Sequence, residues 1–85
     1  MPPTDLLQAL RRRPFVPFRL RISDGTVYDV RHPELLMVAF ASAVVGLPAA
    51  GQTFPQVERY EIVALAHVVR LEPLETTAAG GDGAA

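Results

Sequence analysis

Five arginines in the first quarter of the chain are the residues best equipped for chemistry. Arg11, Arg12 and Arg13 run together, and Arg19 and Arg21 follow at alternate positions. Guanidinium forks grip phosphate oxygens bidentately, so these five, joined by His67, form the candidate nucleic-acid site. A second reading competes with it. The triplet also suits a solvated helix end, and Arg19 and Arg21 suit a strand face that pairs with acids on neighbouring strands. If the first strand lies beside the last, Arg21 or Arg19 faces Glu72. Helix-end charges and exposed ion pairs are common, which favours this second reading and disfavours nucleic acid.

Other chemistries find fewer residues. His32 and His67 are the only histidines and come from different segments, whereas a metal site needs three or four ligands. Glu34 is the one sequence neighbour able to orient His32 as a base. Ser23, Ser42, Thr26 and Thr53 read as turn residues without a nucleophile elbow. Glu58 and Glu61 differ by three, so on a strand they point to opposite faces, unlike a glycosidase pair. Gly80-Gly81-Asp82-Gly83 has no flanking strand or helix to make it a phosphate loop. A non-enzymatic protein with no metal and no cofactor is expected.

Composition narrows the setting. Eighty-five residues make one domain, expected over residues 1–75 with a disordered tail over 76–85. Such a chain buries only roughly 60–65% of its unfolded surface, and oligomerising is a common remedy. Cysteine is absent, which excludes disulfides and thiolate sites and fits a reducing, cytoplasmic setting. The net charge of −1 gives no overall attraction to nucleic acid or anionic membrane. Residues 1–32 hold six Arg against three acids and residues 33–85 two Arg against six acids, a hint of a basic patch. The first 13 residues lack the order of a secretory signal. Leu35 to Ala50 is uncharged but shorter than the roughly 18–20 residues that span a bilayer, so a soluble protein without membrane contact is expected.

The elements that must position these residues follow from spacing. Leu6, Leu7 and Leu10 mark one face of a helix over Asp5–Arg12, capped by Thr4 and stopped by Pro14. Phe18–Val30 alternates apolar and charged residues around Ser23-Asp24-Gly25, the pattern of a hairpin. A three-residue loop with Gly25 left-handed pairs Leu20 with Tyr28 and Phe18 with Val30. That register puts Phe18, Leu20, Ile22, Tyr28 and Val30 on one face and Arg19, Arg21 and Asp29 on the other; a one-residue slip would bury the charges.

His32-Pro33 breaks or bends the chain, and Leu35–Phe40 and Ala43–Leu47 form a second strand pair. Pro48–Pro55 reads as a loop. Val57–Leu65 is a strand with Tyr60 and Ile62 on one face and Glu58 and Glu61 among the exposed positions. A tight 3₁₀ link at Ala66-His67 leads to a last strand, Val68–Glu72. The predicted fold is mainly β: a short N-terminal helix followed by a five-stranded antiparallel barrel, which curls to close its edges.

Two pieces carry a family resemblance. The hairpin Leu20–Tyr28 has an apolar-x-apolar-x-x-Gly-x-x-apolar pattern, and Tyr60–Pro73 reads as strand, one-turn link, final strand. With the leading helix these resemble the Sm-like version of the SH3-type small barrel, over about residues 4–74 in architecture. That resemblance implies rings in which the fourth strand of one subunit pairs with the fifth of the next, and RNA bound at the pore. Ala66 stands where the bacterial Sm-like chaperone has the Lys of its Lys-His pair, and Arg31–Met37 lacks the polar base-binding pattern. The chain is more closely similar to a group of short uncharacterised bacterial proteins with an Arg-rich helix. In this chain their Pro-Phe-x-Pro-Phe lead-in is Pro14–Phe18, their Ser-Asp-Gly hairpin Ser23–Gly25 and their His-Pro-Glu corner His32–Glu34; that likeness implies no activity.

One anomaly points to a partner. Leu35–Leu47 carries apolar residues on both faces, so either the helix or another subunit covers the second. The helix offers only Leu6, Leu7 and Leu10, which favours a subunit. The expected interface comprises Val45, Leu47, Tyr60, Ile62 and Val69, with edges Tyr60–Leu65 and Val68–Leu71 adding strand to strand. A self-associating interaction module that also binds protein partners is the expectation, and an Sm-like nucleic-acid binder the alternative.

Overall fold

The computed structural model describes residues 1–49 and 57–74. Most of the expected loop over 48–55, Thr53, the glycines near the C-terminus and the 76–85 tail lie outside the described residues. The chain is mainly β. A helix α1 (Pro3–Arg11) precedes β1 (Phe18–Ile22) and β2 (Val27–Val30). A 3₁₀ turn (Pro33–Leu35) leads to β3 (Leu36–Val38), β4 (Ser42–Leu47) and β5 (Arg59–Ala64). A second 3₁₀ turn (Leu65–His67) leads to β6 (Val68–Pro73).

The helix begins earlier than its spacing predicts. Pro3, not Thr4, sets the start: its fixed φ suits the first helical position, and Pro2 precedes it with no side-chain cap. Arg12 is already extended at ψ 136°, in keeping with the approach to Pro14. Leu6 is fully buried and joins the core.

The β1–β2 hairpin has the predicted register, with Phe18 opposite Val30 and Leu20 opposite Tyr28. Gly25 holds φ 93°, a left-handed conformation that costs other residues energy. The Gly25 N–H donates to the Ile22 carbonyl at 2.9 Å and the Ile22 N–H to the Thr26 carbonyl at 2.9 Å. The Asp24 carboxylate accepts the Thr26 N–H at 2.9 Å. Phe18, Leu20, Ile22, Tyr28 and Val30 are buried, while Arg19, Arg21 and Asp29 face outward.

Among the described residues the strands number six, not five, and they form no closed barrel. They lie in two three-stranded antiparallel sheets, ordered β2-β1-β6 and β3-β4-β5. His32-Pro33 is a break: Pro33 opens a 3₁₀ turn, so Val27–Val30 and Leu36–Val38 are separate strands. A barrel needs strands long enough to bend from one sheet into the other. Here the Pro33–Leu35 3₁₀ turn interrupts the chain between β2 and β3, and β3 spans only three residues. Side chains of both sheets share one core, built around Phe18, Leu20, Val30, Val45 and Leu6. Leu20→Ala is expected to cost about 2–5 kcal/mol in urea unfolding, whereas Val27→Ala, at a 40% exposed site, changes stability by about 0.5 kcal/mol or less.

Candidate functional site

The arginines divide into two groups with different surroundings. Arg11, Arg12 and Arg13 are exposed at the C-terminal end of α1, where positive charge suits the helix dipole. The Arg13 guanidinium folds back to donate to the Leu10 and Arg12 carbonyls at 3.1 and 2.9 Å. Arg19 and Arg21 instead stand on the outward face of β1. Arg19 donates twice to Asp29, at 2.7 and 3.2 Å, and Arg21 to Glu72 at 2.7 Å. Arg31 lies 3.5 Å from Asp29 and Arg70 3.4 Å from Glu72. The predicted pairing of this face with the last strand is therefore present through Arg21. Each of its two carboxylates is shared by two arginines, so Arg19 and Arg21 are engaged while four guanidinium groups face two acids.

His67 is joined to the hairpin turn through Ser23. It lies in the second 3₁₀ turn, where its Nδ1 is 3.0 Å from Ser23 Oγ and its carbonyl accepts the Ser23 N–H at 2.8 Å. The pair ties the hairpin turn to the 3₁₀ turn. Nucleophilic catalysis also needs an acid that orients the imidazole, and among the described residues no carboxylate is hydrogen bonded to this ring. His32 is exposed before Pro33, and its carbonyl accepts the Leu35 N–H at 3.0 Å. Among the described residues, no three His, Asp or Glu side chains gather as a metal site, and no helix is long and apolar enough to cross a membrane.

Of the expected interface residues, Val45 is misplaced. It is 1% exposed and lies in the core, because it shares the inward face of its sheet with Ala43, Val63 and Glu61. Leu47 is half-buried against the core. Tyr60, Ile62 and Val69 are exposed. Tyr60 and Ile62 share the outer face of β5, where the register sets Ile62 beside Val44 and Val44 beside Met37. Met37 is 72% exposed, Ile62 68% and Tyr60 66%. α1 does not cover this face; it contributes Leu6 to the core. Beside the apolar row lies a depression of about 370 Å³ lined by Glu34, Leu35, Met37, Val44, Gly46, Val57 and Tyr60. Gly46 forms part of its wall, since an added Cβ would lie 3.3 Å from Val57 and 3.4 Å from Leu35.

Two features escaped the sequence reading. Phe40 is 97% exposed on the β3–β4 turn, bordering a second apolar groove with Pro3, Leu7 and Val38. Glu61, expected to be exposed, is half-buried and accepts the Tyr28 phenol. That hydrogen bond joins β2 in one sheet to β5 in the other. No signal in the sequence ties two residues 33 positions apart.

No family model, curated protein or solved structure matches the chain. It is a small, mostly β protein with an N-terminal helix and antiparallel strands.

The polar pairs set a dependence on pH. The hydrogen bond to Glu61, then burial, push the Tyr28 phenol up to about 12 from an ordinary 10. Hydrogen bonds from Arg19 and Arg21 hold Asp29 and Glu72 below the usual carboxylate range, and Tyr28 and then Arg59 do the same for Glu61. A raised phenol stabilises the fold below the unfolded value and loses that contribution as pH climbs; depressed carboxylates lose theirs as pH falls. Thermal melts are expected to show stability falling below about pH 4 and again between pH 10 and about 12. Tyr28→Phe should lower the plateau, flatten the alkaline limb and remove Tyr28's share of the Glu61 contribution from the acid limb, leaving the shares of Asp29 and Glu72 there.

Proposed function

We propose that the protein is a small non-enzymatic interaction module that associates with copies of itself through open strand edges. The observation that carries this reading is the outer face of β3-β4-β5. Met37, Val44, Tyr60 and Ile62 form a contiguous apolar row there, on a domain small enough to need further burial. β5 pairs only with β4 among the described residues, so an unpaired row of backbone groups adjoins the apolar face. Strand addition uses this combination: main-chain hydrogen bonds give affinity and side chains give register.

The architecture supports reading the domain as an opened relative of the SH3/Sm-type barrel. The hairpin, the one-turn link before β6 and the pairing of β6 with β1 are the shared elements. The same edges would accept extended segments of other proteins, and a cytoplasmic setting suits a chain without cysteine. Nucleic-acid binding draws less support, because Arg19 and Arg21 are engaged by Asp29 and Glu72.

Light scattering tests the reading. The wild-type chain is expected to give a mass above 9.2 kDa at micromolar concentration. Ile62→Glu should return it to monomer with an unchanged circular-dichroism spectrum, whereas Val45→Asp, a change in the core, should unfold it. A wild-type chain that stays monomeric at high concentration contradicts the proposal.

A further inference from the structure

We infer that the partner at the β5 edge is a second copy of the same edge, paired antiparallel about a two-fold axis through Tyr60. This rests on the self-association proposed above and specifies its symmetry and register.

The hydrogen-bonding phase of β5 is the first support. Leu65 donates its N–H to the Ala41 carbonyl at 2.9 Å, continuing the ladder in which Ser42 faces Ala64. Inward and outward groups alternate along an antiparallel strand. Val63, Glu61 and Arg59 therefore turn their backbone groups toward β4. Tyr60, Ile62 and Ala64 turn theirs toward the open edge. A second β5 must match outward residues with outward residues, which leaves two-fold axes through a residue and excludes axes between residues.

Charge selects among them. An axis through Glu61 sets two Glu61 carboxylates opposite each other, and an axis through Arg59 sets two guanidinium groups opposite. An axis through Ile62 sets Glu61 against the buried Val63. Only an axis through Tyr60 sets Arg59 against the partner's Glu61 and Glu61 against the partner's Arg59, extending the 3.3 Å Arg59–Glu61 pair already present within one chain. These meet at non-hydrogen-bonded positions, where Cα atoms approach to about 4.5 Å and opposite charges attract. Tyr60 then exchanges backbone bonds with the partner's Tyr60, and the Ile62 N–H meets the carbonyl of the partner's Glu58. On the outer face the two apolar rows become continuous.

The other edges fit less well. β6 ends at Pro73, which has no N–H. β3 has three residues and β2 four, against six in β5.

Disulfide trapping reads this register directly, because the chain has no cysteine of its own. In the proposed dimer the two Tyr60 Cα atoms lie about 5.5 Å apart, within the roughly 4.4–6.8 Å that a disulfide spans. The two Ile62 positions are offset by four residues, about 13 Å. Under mild oxidation Tyr60→Cys is expected to convert mostly to covalent dimer, while Ile62→Cys and Val69→Cys remain uncrosslinked. Arg59→Glu and Glu61→Arg should each lose the dimer alone and regain it when mixed, since the mixture restores both opposite-charge pairs. The cysteine variants keep the test decisive should Glu61→Arg fail to fold. A monomeric wild-type chain removes self-association and this register together. A self-associating wild type that crosslinks through Ile62→Cys instead, or whose Tyr60→Cys does not crosslink, overturns the register alone.

Discussion

Strand parity is the constraint on which the structure depends. Successive side chains of a strand point to opposite faces, so a slip of one residue exchanges core and surface. The turn at Ser23-Asp24-Gly25 sets that parity for β1 and β2, because the left-handed Gly25 fixes the loop length. Phe18, Leu20, Ile22, Tyr28 and Val30 are buried together as a result. The second sheet obeys the same rule. Ala43, Val45 and Val63 face the core, and Met37, Val44, Tyr60 and Ile62 are left on the outside.

The two outer faces differ, and the difference organises the surface. On β2-β1-β6, outward positions hold Arg19 against Asp29, and Arg21 and Arg70 both against Glu72. Exposed pairs of this kind contribute little stability, but they solubilise the sheet and leave few guanidinium groups without a carboxylate. On β3-β4-β5, the same positions hold Met37, Val44, Tyr60 and Ile62. One face is charged and the other apolar. The Tyr28 hydrogen bond to Glu61 crosses between the sheets at β5, which among the described residues pairs only with β4.

The hairpin was legible in sequence because its two signals agree: alternation over Phe18–Val30 and a turn triplet with glycine at the position that needs positive φ. β4 was not. Ala43, Val44 and Val45 are all apolar, so periodicity carries no parity there, and Val45 went to the surface in the reading and to the core in the fold. Strand number turned on whether His32-Pro33 bends or breaks the chain, a choice that local propensity leaves open. The division into two sheets rests on ladders between distant segments, such as β1 with β6, that no local pattern records. Met37, Tyr60 and Ile62 stand out as a site only when three strands are laid side by side. The Arg19–Arg21 face was readable down to its pairing with Glu72, since strand order and opposite charge point the same way.

Residue-resolved amide hydrogen exchange at two protein concentrations tests the central claim, that strand parity leaves the outward groups of β5 open until a second copy covers them. In dilute solution the Tyr60 and Ile62 amides should exchange fast while those of Glu61 and Val63 exchange slowly. In concentrated solution Tyr60 and Ile62 should become protected and the other two should not change. Tyr60 and Ile62 amides protected equally at both concentrations would mean an edge already closed within one chain, and amides fast at both would mean an edge that nothing covers; either result contradicts the account.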